Sequence, residues 1–585
     1  MARNKLMNIV DGYVGQGDER RFYSAAYSGS VSARKKRAGS LLSRIFSKGK
    51  RLITYTSSRA YGSAGLAFGL LTVILSFIRV YGDRSWDDPA VTLIIGAAVA
   101  VLSLPFLMSD RPLAFVFQDI PVTEYVFFEL LCMKRVPKIE GVRAVNTFVA
   151  TTIGVALALL GLVMPVWMIA AAVLCLVVVF LAMSSPEFSF LLSLVLVPYS
   201  DTSAAAHWVF IGLVGVTFIS MIVKIAYGKR VIFFNQYDVL IAVIVLSLLV
   251  SGLLSDGVGS FGSAVATVVL TCGYTVASCL VSNRRIADSA LGILVISSVP
   301  VSLVSIVTFV RLLIAGDAGS VLGEGLCSTM SDSTACAVFL LVSICSAAAL
   351  VKQGHGRITR TLCMLAILIQ LIALVLTGEL LALAAIPVGL AVYFVIKTRY
   401  FSMVIVPMLL ILPYVVLLLL PESWEEAVYS VIPSLSDAGS LPELWRALLP
   451  SVLESPLAGI GVGRGGGAHN LVLEIVIEAG VICAAAFALL LVARLRHLAE
   501  YYPYIKSSAV ESLCPAMAVT VFTMMFYGAV ACVLASGCAY YLFWVVLGIG
   551  GALLRIAAKD YDDRVNYYED NRASDASDLD VRLFR

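Results

Sequence analysis

Apolar segments about twenty residues long recur from about residue 63 to about residue 557, separated by polar stretches. A helix of that length spans the roughly 30 Å hydrocarbon core of a bilayer. Inside lipid, every backbone N–H and C=O must be satisfied within the protein. Only helices and closed barrels achieve that. The runs here are continuous and not alternating, which excludes a spanning barrel. The expected fold is therefore all-α: a polytopic helical membrane protein with about 14–16 transmembrane helices. Composition agrees, since only 14% of residues are charged, against about 25% in soluble domains.

The remaining sequence divides around these spans. Residues 1–62 are polar and rich in Lys and Arg, including Arg34-Lys35-Lys36-Arg37. They read as a disordered cytoplasmic arm drawn to anionic lipid head groups, and nucleic-acid binding is the alternative set aside. Residues 63–184 hold four N-terminal spans and 185–500 the membrane core. Residues 501–558 hold the last spans, and 559–585 read as an acidic, disordered cytoplasmic tail. The loop 421–469 is the longest one on its side. Starting the basic arm in the cytoplasm and alternating sides puts Lys134/Arg135/Lys138/Arg143, Arg284/Arg285, Lys352/Arg357/Arg360 and Arg494/Arg496 inside. The segments 199–206, 255–262 and 315–333, on the other side, contain no Lys or Arg. By the positive-inside rule both termini are cytoplasmic, and the long loop is external. The 12 cysteines mostly lie in apolar runs and read as small apolar residues, not as a disulfide or metal framework.

The long loop ends in Glu454-Ser-Pro456-Leu-Ala-Gly459-Ile-Gly461-Val-Gly463-Arg464, then Gly-Gly-Gly-Ala and His469-Asn470, and an apolar run follows at once. The glycines match G-x-G-x-x-G in form. A dinucleotide site needs a strand before them and a βαβ unit around them, which membrane spans do not offer. Free amides that approach an anion are the better expectation, with a plain linker as the alternative. His469 is one of four histidines in the chain. Its imidazole can accept a proton from a hydroxyl at neutral pH, or can be structural. Asn470 can cap the helix or orient that ring. Glu474 and Glu478 are four residues apart and share a helix face. A carboxylate this deep is costly unless partnered, so Glu474 is expected to face a polar cavity. Glu379 is a further acid at a span end, and Trp445 reads as an interface anchor. The expected catalytic set is His469, Asn470 and Glu474.

The Pro456-Leu-x-Gly459-x-Gly461 loop leading into His469-Asn470 at a helix start resembles the O-antigen ligase and polymerase superfamily, over roughly residues 185–500. Cys327-Ser-Thr-Met-Ser-Asp332, Leu376-Thr377-Gly378-Glu379 and Trp445 occupy the positions of other family segments. The resemblance implies a metal-independent glycosyltransferase of the GT-C type, without cofactor, on the external face of the bacterial plasma membrane. Its partners would be an undecaprenyl-diphosphate-linked glycan donor, a glycan, lipid or other hydroxyl acceptor, and membrane lipids. Where the family has Ser-Arg this chain has Gly378-Glu379, and where it often has an Arg before the Trp this chain has Leu441. The donor diphosphate would then fall to Arg464, Arg446 and Arg311, with the amides of Gly461 and Gly463. Glu379, Trp445 and Glu478 would serve the acceptor or the structure. A lipid-linked glycan transporter and a non-catalytic scaffold of envelope assembly are the competing readings.

Overall fold

The computed structural model describes residues 56–80, 88–133, 147–227, 238–255, 258–315, 326–353, 356–397, 441–464, 468–505, 510–529 and 531–583. It is all-α, with no strand among these residues. Ten helices are long and apolar enough to cross a membrane, and five shorter apolar helices accompany them among the described residues. The protein is a multi-pass helical membrane protein. The expected span at 402–420 and the loop to residue 440 lie outside the described residues, as does the basic arm to residue 55.

The chain forms two compact units that divide after Phe188. In the first, α1 (Ser58–Val80) packs on α2 (Pro89–Leu107) and α3 (Thr147–Leu160), and α4 (Val166–Ser184) follows. The spacing of Gly65 and Gly69 lets backbones meet, as small-residue motifs do in membranes. A Cβ at Gly69 would stand 2.6 Å from the Ala100 amide. Leu70, Ile74, Phe77, Val101 and Leu102 are exposed. In a membrane chain that is the lipid-facing surface.

The second unit holds α5 (Pro186–Leu196), which begins just before it, α6 (Ala204–Ala226), α7 (Asp238–Leu254) and α8 (Val258–Leu280). Then come α9 (Arg284–Ala315), α10 (Ser333–Lys352), α11 (Arg357–Leu376), α12 (Leu380–Lys397), α13 (Leu441–Glu454), α14 (Leu471–Ile505), α15 (Leu513–Gly528) and α16 (Gly537–Leu583). Helices α10 and the first half of α16 form its centre, with Phe339, Tyr541 and Trp544 fully buried. Hydroxyls and amides tie the helices together where lipid gives no hydrophobic drive. Ser193 and Tyr541 share a hydrogen bond of 2.6 Å, and Gln370 donates to Ser298 and Ser343.

The last spans expected within 501–558 are α15 and α16, which pack through the middle of the second unit. In place of the disordered tail expected from 559, α16 runs on to Leu583. No Gly or Pro follows Gly551 to stop it.

Far along α14 from His469, Arg494 pairs with Asp238 at 3.3 Å, and Tyr274 donates to the same carboxylate oxygen at 2.8 Å. The guanidinium also sits over the Tyr274 ring. This buried pair clamps α7, α8 and α14. Arg494→Ala leaves Asp238 without its counter-charge and is expected to destabilise the protein by about 3 kcal/mol or more. A drop in the melting temperature of purified, detergent-solubilised protein checks it.

Candidate functional site

The site is built around a break in α14. Gly480 has φ +83° and ψ 170°, a conformation that side chains other than glycine's essentially exclude. At this point the helix exchanges its hydrogen bonds with the glycine-rich loop. Val481 N–H donates to the Pro456 carbonyl at 2.8 Å, and Ile460 N–H donates to the vacated Ile477 carbonyl at 2.8 Å. Gly461 N–H and the Ser251 hydroxyl both donate to the Glu478 carbonyl. Unwound backbone at membrane depth is tolerated only where protein or a cavity satisfies it. Here the loop does so. The approach is so close that a Cβ at Gly480 would lie 2.1 Å from the Leu457 carbonyl oxygen.

The loop amides are therefore not free for an external anion, which corrects the expectation for Gly461 and Gly463. Gly463 N–H donates at 2.9 Å to the Glu478 carboxylate, so the protein's own anion occupies that position.

Beside the break lies a cavity of about 450 Å³ between α6, α7, α8, α14 and α16. Glu474 and Glu478 both line it, with Gly463, Tyr540 and Trp544. Glu474 is 4% exposed, and its Oε2 has no hydrogen-bond partner. His207 also lines the cavity, and sequence reasoning missed it. Its Nδ1 is 3.4 Å from Asp201 Oδ1, while Ser536 donates to Asp201 Oδ2 at 3.0 Å. A histidine steadied by a carboxylate at a cavity wall can relay a proton. The available signal was the scarcity of histidine, with an acid six residues before this one.

His469 does not line the cavity. It sits just before α14, half-buried, with φ +45°, and its N–H donates to Cys532 Sγ at 3.2 Å. Burial pushes its pKa below the ordinary value, and the nearby Glu379 carboxylate opposes that shift. Glu379 is not an unpaired acid: it accepts from Ser333 at 2.8 Å and from Thr334. Asn470 is a cap, since its Oδ1 accepts from the Val472 and Leu473 amides. Of the two roles expected for Asn470, this is the capping one. Trp445, on α13, donates to the Ala468 carbonyl at 3.0 Å and so fastens that helix to the strained residue's neighbour.

The arginines are not gathered at the cavity. Arg311, Arg446 and Arg464 are exposed, and none lines it. Arg464 follows the lining residue Gly463 and so stands nearest in sequence. None of the twelve cysteines, all of them among the described residues, forms a disulfide. No protein-family model matches the chain, and no curated protein matches it.

The direction of the His469 shift gives a pH expectation. Any function that needs a neutral imidazole should persist through the neutral range and fail on acidification only below the ordinary histidine value of about 6.5. Glu379→Gln removes the opposing charge, so the acid limb should move to still lower pH. Stability has a matching sign: the unfolded chain binds this proton more readily, so acidification favours unfolding. Paired pH profiles of wild type and Glu379→Gln check both.

Proposed function

We propose that the chain is a glycosyltransferase of the bacterial plasma (inner) membrane, with both termini cytoplasmic and its reacting face external. It transfers or polymerises a glycan from an undecaprenyl-diphosphate donor onto a glycan or lipid hydroxyl, as in O-antigen, capsule or exopolysaccharide assembly. One observation carries this reading: a half-buried imidazole stands just before a broken helix whose next turns present two acids to a largely apolar cavity. A sugar hydroxyl needs a base and polar anchoring; in this reading His469 is the base and the two acids of the neighbouring cavity are the anchors.

In the proposed step the acceptor oxygen bonds to the anomeric carbon as the bond from that carbon to the diphosphate oxygen breaks. The hydroxyl proton passes to His469. The departing diphosphate carries its own negative charge and would be met by Arg464, Arg446 or Arg311 from the exposed side. Glu474 and Glu478 would hold acceptor hydroxyls.

A second reading has its own support. Broken helices with acids beside a membrane cavity are also how transporters build substrate sites, and α14 has that form. A transporter would move labelled lipid-linked glycan across vesicles without forming a glycan product.

A deletion strain complemented with matched membrane levels of wild type or His469→Ala tests the proposal. Transfer chemistry predicts that His469→Ala fails to restore long glycan while the lipid-linked precursor accumulates. Full complementation by His469→Ala would leave a scaffold role in its place.

A further inference from the structure

One wall of the α14 cavity carries His207, on the first turn of α6. Its ring is held from two sides. Nδ1 lies 3.4 Å from Asp201 Oδ1, and that carboxylate is itself fixed by donors from Ser200 at 3.2 Å and Ser536 at 3.0 Å. The Cε1 edge rests on Gly537, where a Cβ would stand 2.8 Å away. Asp201 is covered, with 9% of its side chain exposed, and the imidazole is open, with 34% exposed. A carboxylate at Nδ1 keeps the ring proton there and leaves Nε2 as a lone-pair acceptor. Nε2 has no partner among the described residues.

The rest of the lining limits what can use that acceptor. A volume of about 450 Å³ is that of a small-molecule site. The cavity is largely apolar, with Trp208 and Tyr540 on its wall, and among the described residues no Lys or Arg lines it. Glu478 adds a carboxylate to the wall. Such a lining repels an anionic ligand. It suits an uncharged ring that is apolar on its faces and hydroxylated at its rim. We propose that the cavity is a sugar subsite, and that His207 Nε2 is its specificity-determining acceptor, taking a hydrogen bond from a sugar hydroxyl. This is a positioning role, and the proton transfer stays with His469. The assignment of the sugar to the acceptor end of the glycan rests on the glycosyl-transfer reading; the binding itself does not.

Diethyl pyrocarbonate, which acylates open imidazole nitrogens, tests the binding on purified full-length protein in a sugar-free detergent, with no donor present. The chain has four histidines, so peptide mass spectrometry reads His207 singly. Methyl glucoside, methyl galactoside and methyl mannoside are the probes, and glycerol is the acyclic control. At least one sugar is expected to slow modification of His207 several-fold, and glycerol at equal concentration is expected not to. Gly537→Ala should abolish that protection by displacing the ring. Transfer supplies a second readout. His207→Ala should raise the acceptor KM about 2–10-fold, the worth of one neutral hydrogen bond, with kcat little changed. His207→Gln, whose carboxamide oxygen can accept in its place, should recover part of that loss. Melting curves establish that the variants are folded, and the wild-type protection stands without them. No protection by any sugar, or equal protection by glycerol, would overturn the proposal, as would an acceptor KM that His207→Ala leaves unmoved. Protection in a protein that joins no glycan would sink the transfer reading and leave the sugar subsite standing.

Discussion

A Gly480→Ala protein is expected to melt well below wild type and to lose function with it. Two costs combine. The φ of +83° with ψ of 170° lies where an L side chain is strained by about 1–3 kcal/mol. The added methyl would also stand 2.1 Å from the Leu457 carbonyl oxygen. Relief requires either the loop to withdraw or the helix to straighten, and both undo the exchange of Val481 and Ile460 hydrogen bonds. The expected loss is on the order of 3 kcal/mol or more, strain and overpacking together. Gly292→Ala is the control. Gly292 lies inside α9 with nothing within 4 Å of its would-be Cβ, so alanine there should be neutral or slightly stabilising. Melting curves of the two variants side by side check the contrast. Equal behaviour would mean that the break at Gly480 is not what holds the loop.

His469→Ala is expected to lower transfer by about 10²–10⁴-fold, the usual contribution of a positioned general base. His469→Gly separates chemistry from structure. The native φ of +45° suits glycine better than histidine, so this variant should be at least as stable as His469→Ala while equally inactive. The backbone N–H that donates to Cys532 survives in both. A structural histidine would behave otherwise, with activity following stability across the pair.

Much of the helical architecture was legible in the sequence, because lipid forces a one-to-one relation between a long apolar run and a helix. Trp445, expected as an interface anchor, lies on a helix, α13, that spans Leu441–Glu454. The shared face of Glu474 and Glu478 followed from their spacing of four. The break between them and Cys483 was not legible. A single glycine in an apolar run weakens a helix by only about 1 kcal/mol, and the partner that makes it break is the Leu457–Ile460 backbone of a loop. The same limit hid the His207–Asp201 pair, which depends on Ser536, 335 positions further along the chain. Asn470 had two open roles, and only the amide geometry of Val472 and Leu473 chose between them. The glycine loop suggested an anion site but not its occupant. The nearest anion is Glu478, from the helix that follows.

The most direct test is transfer by purified protein in proteoliposomes, supplied with an isotopically labelled undecaprenyl-diphosphate glycan and a hydroxyl acceptor. Wild type is expected to form labelled glycan product and release the lipid diphosphate, and folded His469→Gly to form almost none. Wild-type rates from His469→Gly would contradict it, as would wild-type protein that moves the labelled lipid across the bilayer without joining any glycan.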